Sequence, residues 1–365
     1  MLTILHGADF HLDAPFSSLP PERAAQRRSE QRALPGRLAD LARDRGADLV
    51  LLPGDLLDGE DSYRETAQAL ALALGNMGCP VFIAPGNHDF YSPRSPYASA
   101  DWPENVHIFR SPQIQSVELP GLNCVVHGAA FTAPFRDDCP LAGFTAPDDG
   151  RIHLMVLHAD VDGRGRYSSL PAADIAASGL DYLALGHIHA CTGVRRAGGV
   201  CWAYPGCPEG RGFDELGDKG VLLGTVSKGG AELDFVPTAA RRYEIFPLDV
   251  TGREPADALR DFLPAQPSPD ICRILLTGER GVEGLDLEGL EALAAPAYYS
   301  VSVRDKTVVR RDLWQRAGED NLTGLFLRRM RARLDAAGDG QEAALVEQAV
   351  RFGLAALENG EDCCP

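Results

Sequence analysis

The chain has 365 residues, 45% apolar and 24% charged, the composition of an ordinary globular protein of about two domains. Its formal charge of −17 argues against a protein that grips nucleic acid through a broad basic surface. No apolar run approaches the roughly 18 residues of a membrane helix. The opening Met-Leu-Thr-Ile-Leu-His lacks the basic start and cleavable stretch of a signal peptide, so the expectation is a cytoplasmic protein with no membrane contact. Nine scattered cysteines, none in Cys-x-x-Cys spacing and two of them in the polar tail at Cys363-Cys364, read as thiols rather than a disulfide framework. All but Lys219, Lys228 and Lys306 of the 35 basic residues are arginine, a skew that codon bias explains more simply than phosphate contacts.

In chain order, "LTILHGADFH" (2–11) is a short apolar run ending in Asp9 and His11. A helical pattern over 21–45 carries Leu34, Leu38 and Leu41. "DLVLLPGDLLD" (48–58) ends in Gly54-Asp55 and Asp58, before a helix over 62–77 with Ser62 as N-cap and Glu65 three residues on. "PVFIAPGNHD" (80–89) ends in Gly86-Asn87-His88-Asp89, "IHLMVLHAD" (152–160) in His158, and "LDYLALGHIH" (180–189) in His187 and His189. These runs are rich in Val, Ile and Leu and bounded by Gly, Pro or Asp, as strands buried on both faces are.

Beyond them, 219–238 reads as a hairpin turning at Lys228-Gly229-Gly230. A strand over 240–250, a helix near 255–263, a strand over 272–278, a helix near 286–295 and a strand over 298–305 make a small α+β module. Residues 304–333 carry Arg304, Lys306, Arg310, Arg311, Arg316, Arg328, Arg329, Arg331 and Arg333 against Asp305, Asp312, Glu319 and Asp320. That stretch is a solvated helix face, a DNA-backbone contact or a docking surface for a coiled coil. Over 341–357, Leu345, Ala349, Phe352 and Ala356 recur at helical spacing, so a helix is expected to pack through them.

Strand–helix alternation gives an α/β sheet with right-handed crossovers, in which ligands bind beyond the carboxyl ends of the strands. All five apolar runs place their polar residues there, so Asp9, His11, Asp55, Asn87, His158, His187 and His189 can converge. Two carboxylates, four imidazoles and one amide oxygen are enough donors for two metals and too many for one tetrahedral zinc. A mixed N/O set without thiolate favours Mn²⁺, Fe²⁺ or Zn²⁺ over Ca²⁺. Two ions roughly 3.5–4 Å apart need a bridging carboxylate, and Asp55 is the natural candidate. Two dications against Asp9 and Asp55 leave a local positive charge that can hold a phosphodiester on an acidic chain. Of the other histidines, His127 and His153 read as core residues, His6 as core or as a support beside the site, and His107 as a surface-loop residue. Arg211 and Phe213 in "PEGRGFDE" either line a groove or belong to a β-turn with Gly210 and Gly212.

The blocks Asp9-x-His11, Gly54-Asp55-x-x-Asp58, Gly86-Asn87-His88-Asp89, His158 and Gly186-His187-Ile188-His189, in this order, resemble the calcineurin-like metallophosphoesterases. "HGADFHLDAPF" (6–16), "NVHIF" (105–109) and "YPGCPEGRGFDELGDKGV" (204–221) are similar to the SbcD-like and YhaO-like exonucleases of the DNA-repair branch. The Ser/Thr phosphatase branch has an Arg after its second block, and "GDLLDGE" lacks it. The resemblance implies a sandwich of two packed mixed β-sheets flanked by helices over 1–240, a small α+β capping domain over 241–308, and C-terminal helices over 309–365 that dock a partner. It implies one metal held by Asp9, His11, Asp55 and His189 and another held by Asp55, Asn87, His158 and His187, with manganese the first expectation. His88 would assist the leaving oxygen, and Asp58 would orient His88 or brace the loop. The implied reaction is phosphodiester hydrolysis of DNA by a two-metal-activated hydroxide. The implied partners are an SMC-like coiled-coil ATPase, since no G-K-[ST] occurs in the chain, and a second copy of the chain. The competing readings are a phosphodiesterase or phosphatase for small nucleotides and phosphoesters, and a non-catalytic subunit of an ATPase complex.

Overall fold

The computed structural model describes residues 1–59, 63–163, 165–280, 285–309 and 314–359. Two six-stranded mixed sheets form the main layers. The first runs, from edge to edge, Gly230–Pro237, Gly220–Ser227, Leu2–His6, Leu49–Leu52, Val81–Ile83 and Val106–Ile108. Its last four strands are parallel, and Gly220–Ser227 pairs antiparallel with Leu2–His6. The second runs Arg195–Ala197, Val200–Ala203, Tyr182–Gly186, Ile152–His158, Cys124–Gly128 and Gln115–Leu119. Its four central strands are parallel and its two edges antiparallel.

Alternation along each strand explains why the apolar runs are unbroken. In the first sheet Leu2, Ile4, Leu49, Leu51 and Phe82 face a shared core with Val126, Leu154, Val156, Tyr182 and Ala184 of the second. The intervening Leu5, Val50, Leu52, Val81 and Ile83 face helices through Leu34, Leu38, Leu70 and Leu74. Met155, Leu157, Leu183 and Leu185 do the same on the outer side of the second sheet, against Leu141, Leu170 and Ile175. Each such side chain contributes roughly 1.5–3 kcal/mol by leaving water, so a polar residue inside a strand needs a hydrogen-bond partner, as His127 and His153 supply for each other.

The pattern over 21–45 forms two helices, Pro21–Arg32 and Leu34–Asp44. Pro35 lies in the first turn of the second, where its missing N–H costs nothing but stops the helix from running through. Helix Arg64–Gly75 buries Thr66, Ala67, Leu70, Ala71 and Leu74; the N-cap expected at Ser62 lies outside the described residues. The hairpin pairs Ser227 with Gly230, so Gly230 opens the second strand and the turn is Lys228-Gly229. His107 lies in the Val106–Ile108 strand rather than a surface loop, its ring edge-on to Phe109 at 4.9 Å.

By packing, the chain divides into two units: Met1–Phe246 with Leu263–Ile274 and Ala294–Ser302, and Pro247–Phe262 with Leu275–Leu293 and Val303–Pro365. Strands Tyr243–Asp249, Ser268–Thr277 and Tyr298–Asp305 form a three-stranded sheet. The second unit ends in helices Leu322–Asp335, N-capped by Asn321 through the N–H of Gly324 at 2.9 Å, and Gly340–Asn359. The packing face expected on the last helix is overturned: Leu345 and Phe352 are 67% and 46% exposed, and Ala349 and Ala356 are exposed too. Val350 is buried instead, and Gly353 admits Phe326 so closely that a Cβ would lie 2.2 Å from its ring. The covered face is the neighbouring apolar row of Val346, Val350, Gly353 and Leu354. Arg310, Arg311 and Asp312 of the basic stretch lie outside the described residues. Among the described residues no helix is long and apolar enough to cross a membrane.

One interaction of the first unit escaped the sequence reading. Arg27 Nη2 meets Glu209 Oε1 at 2.6 Å with both side chains fully buried. Glu209 also accepts from the N–H of Ala240 and from Arg37, while Arg27 reaches Glu30 at 2.6 Å. Removing one member of a buried pair strands the other charge. Glu209→Ala should therefore destabilise the fold by about 3–5 kcal/mol in urea unfolding, and a loss under about 1 kcal/mol would show the pair to be dispensable.

Candidate metal centre

The five sequence blocks meet at the carboxyl ends of their strands, three from the first sheet and two from the second. The chain leaves those strands in unusual backbone: Asp9 (φ 55°), His11 (φ 43°), Asp55 (φ 50°) and His187 (φ 106°) all have positive φ. Aspartate tolerates this region; a histidine there is uncommon and is held by its surroundings. Two glycines let the loops touch. A Cβ on Gly86 would lie 2.2 Å from Asp55 Oδ1, and one on Gly186 would lie 2.0 Å from the Pro53 carbonyl.

Three of the four candidate imidazoles, those of His11, His189 and His158, are oriented by a bond on the far side of the ring. His11 Nδ1 donates to Asp58 Oδ1 (3.1 Å), and His189 Nδ1 donates to Glu215 Oε1 (2.6 Å). Their Nε2 atoms are therefore lone pairs, and they face each other at 3.3 Å. His158 Nδ1 donates to the Pro53 carbonyl (2.9 Å), which turns its Nε2 lone pair towards Asn87 Oδ1 at 3.0 Å. Facing acceptors repel unless a cation lies between them, so these donor pairs fit bound metal. Asp55 Oδ2 lies 3.7 Å from His11 Nε2 and 3.5 Å from His158 Nε2. Ligand atoms of Asp9, His11 and His189 lie within 4.8 Å of one another, and so do those of Asp9, Asp55 and His158. His187 donates its backbone N–H to Asp9 Oδ1 (3.0 Å) and sets its ring 5.2 Å from that of His158.

His88 stands exposed on the rim, its ring 4.8 Å from His11, with its backbone N–H on Asp55 Oδ1 at 2.9 Å. Asp58 is within 4.8 Å of His88, but the hydrogen bond it accepts comes from His11. The turn lies one step later than expected, closed by Glu215 N–H on the Gly212 carbonyl at 3.1 Å, and Arg211 before it lies beside the donors, its guanidinium 2.8 Å from Glu215, 3.1 Å from His189 Nδ1 and 3.5 Å from Asp58.

The sequence reading gave no role to Asp89 or Glu215. Asp89 is fully buried and accepts the N–H groups of Asp55 (3.1 Å), Leu56 (2.7 Å), Leu57 (3.2 Å) and Gly86 (2.8 Å), and the Tyr97 hydroxyl (2.5 Å). One carboxylate thus ties the loop carrying Asp55 to the loop carrying Asn87 and His88. An acid closing the "GNHD" block was the available signal; Glu215 had none. His6 is buried between Tyr182 Oη (2.9 Å) and the Leu185 carbonyl (3.2 Å), supporting the strand that leads to His187, and burial lowers it to about 3. His127 and His153 are buried and joined to each other at 3.0 Å.

The electrostatics suit cation binding. Burial and the charge of Asp55 hold the Asp9 carboxyl well above its ordinary range. Burial also opposes ionisation of Asp55, but His158, His11 and His88 pull it below the ordinary value. Two adjacent buried carboxylates stay ionised together only with positive charge between them. Burial keeps His11 neutral, and burial with His158 lowers His187 to about 4, the state in which imidazole is a ligand.

Fold and centre together define a metal-dependent phosphoester hydrolase. Residues 2–191 match the Calcineurin-like phosphoesterase family, and the chain belongs to it. It is 31% identical over 298 residues to the uncharacterized metallophosphoesterase YhaO of Bacillus subtilis, covering 76% of this chain and 72% of that one. It is 28% identical over 241 residues to the DNA double-strand break repair protein Mre11 of Aeropyrum pernix, covering 61% and 57%. The Mre11 of Methanopyrus kandleri is 22% identical over 287 residues, covering 71% and 62%. Less than two thirds of either Mre11 protein is spanned.

Proposed function

We propose that the chain is a DNA phosphodiesterase of exonuclease type, working in DNA repair with two divalent metal ions, manganese first, with Fe²⁺ or Zn²⁺ as the alternatives. The observation that carries the reading is Asp55 Oδ2, set between the Nε2 atoms of His11 and His158. A carboxylate oxygen shared by two imidazole lone pairs is placed to bridge two cations. Asp9, His11, Asp55 and His189 would hold one ion, and Asp55, Asn87, His158 and His187 the other. When bound, the ions supply positive charge to the phosphate oxygens and acidify a water molecule. The chain's own groups do the rest. Asp58 and Glu215 fix the His11 and His189 rings, Asp89 fixes the loops, and His88 meets the departing sugar oxygen from the rim.

The names of the Mre11 relatives support DNA as substrate. The exposed Leu345, Phe352 and Leu357 of the last helix support docking of a coiled-coil ATPase partner, with a second copy of the chain as the other partner. The charge of −17 favours a second reading, hydrolysis of small phosphoesters, because a long polyanion meets repulsion beyond the site. End-labelled duplex and single-stranded DNA, incubated with protein and Mn²⁺ beside cyclic and simple phosphate esters, decides between them. DNA shortened progressively from its ends is expected. Intact DNA beside hydrolysed small esters would overturn the DNA reading.

A further inference from the structure

Arg273, on the Ser268–Thr277 strand, is engaged by no carboxylate among the described residues, and its Nε is buried without a hydrogen-bond partner. Its near neighbours in the same unit are neutralised: Arg241 by Glu30 at 2.6 Å and Arg242 by Asp270 at 2.9 Å. What holds Arg273 is a ring. Its guanidinium carbon lies 3.8 Å from the centroid of Phe213, which is itself edge-on to Tyr243 at 5.2 Å. Stacking of this kind orients a guanidinium and leaves its N–H edge available for an oxygen anion.

Arg273 and Phe213 flank an open cavity of about 460 Å³ whose wall also includes Ser17, Ser18 and Arg211. The serines are presented by a strained turn. Phe16 has φ 51°, outlying for a bulky side chain, and is kept there by burial of its ring with Leu19, Tyr243 and Ile271. Ser17 and Ser18 are consequently exposed at the cavity. Of the carboxylates on the wall, Glu215 is occupied by Arg211 and His189, and Asp214 is exposed to solvent. Arg211 spans the distance to the candidate metal centre, touching both the cavity and His189 Nδ1.

We propose that this cavity is a subsite for a non-scissile phosphate of a polynucleotide, with Arg273 as its charged ligand and the Ser17 and Ser18 hydroxyls as its neutral ones. The assignment rests on the DNA reading above and adds a second grip on the backbone beside the metals. On an acidic chain such a grip would recruit the polymer over a single ester, since a polynucleotide can present one phosphate to the centre and another to Arg273.

The test uses the full chain and its Arg273→Gln and Arg273→Lys variants. Equilibrium binding of a non-hydrolysable phosphorothioate hexanucleotide is measured without added metal across a salt series. Arg273→Gln is expected to bind about tenfold more weakly, with the log–log salt slope shallower by about 0.7, as loss of one single-strand phosphate contact requires. Arg273→Lys should restore the slope, because it keeps the charge. In parallel, the ratio of kcat/KM for the oligonucleotide to that for bis-p-nitrophenyl phosphate should fall about tenfold in Arg273→Gln. Equal binding by wild type and Arg273→Gln, or weaker binding with an unchanged salt slope, would overturn the subsite. Failure of the DNA reading looks different: binding still depends on Arg273, but no oligonucleotide is cleaved when Mn²⁺ is added.

Discussion

Asp55→Ala is expected to empty the centre and to lower phosphodiester turnover by at least about a thousandfold, a barrier increase of about 4 kcal/mol. The expectation follows from one atom. Asp55 Oδ2 lies between the Nε2 atoms of His11 and His158, so it belongs to both donor groups, and neither retains a shared carboxylate without it. The loop should survive the change, because the N–H groups of residues 55, 56 and 57 are bonded to Asp89 and not to the Asp55 side chain. Elemental analysis separates ligand loss from unfolding: a variant that melts near the wild-type temperature and carries close to no metal is the expected result. A folded variant that still holds two ions per chain would remove Asp55 from the bridging position.

His88→Gln should have the opposite signature, metal content near that of wild type with turnover down by about 10² to 10⁴, the range for losing a positioned acid–base group. Geometry makes the two separable. The His88 ring is exposed and T-shaped against His11, while the contact that ties residue 88 to the site is its backbone N–H on Asp55, which glutamine keeps. The loss should fall on kcat, because the group acts on the leaving oxygen more than on bound substrate. Unchanged kcat with DNA would exclude His88 from the reaction.

How much of this was legible in the sequence depended on how local each signal was. The five blocks stood out because a strand buried on both faces ends abruptly, so the first polar residues after it are conspicuous. The need for Gly86 and Gly186 was carried by the same short stretches. The supports were not legible. Asp89 could be seen as an acid, but its bonds go to the N–H groups of a loop more than thirty residues earlier. Glu209 and Arg27 are 182 positions apart, and neither lies in a pattern that marks it as buried. The resemblance implied that Asp58 orients His88 or braces the loop; the hydrogen bond it accepts comes from His11, a contact between residues 47 positions apart that no local pattern announces. The last helix misled for a different reason. Its apolar spacing was real, but the chain covers Val350 and leaves Leu345 and Phe352 open.

The candidate metal donors come from both sheets, and Asp9 and His187 are 178 positions apart in the chain. A nascent polypeptide emerging from the ribosome therefore exposes Asp9, His11 and Asp55 long before His187 and His189 are synthesised. On the proposed assignment a cation can be caged only after the segment ending at His189 has joined the two sheets, and binding it then opposes reopening of the seam between the layers. Bound metal would then stabilise only chains in which both sheets have assembled, and removing it should increase cleavage by protease.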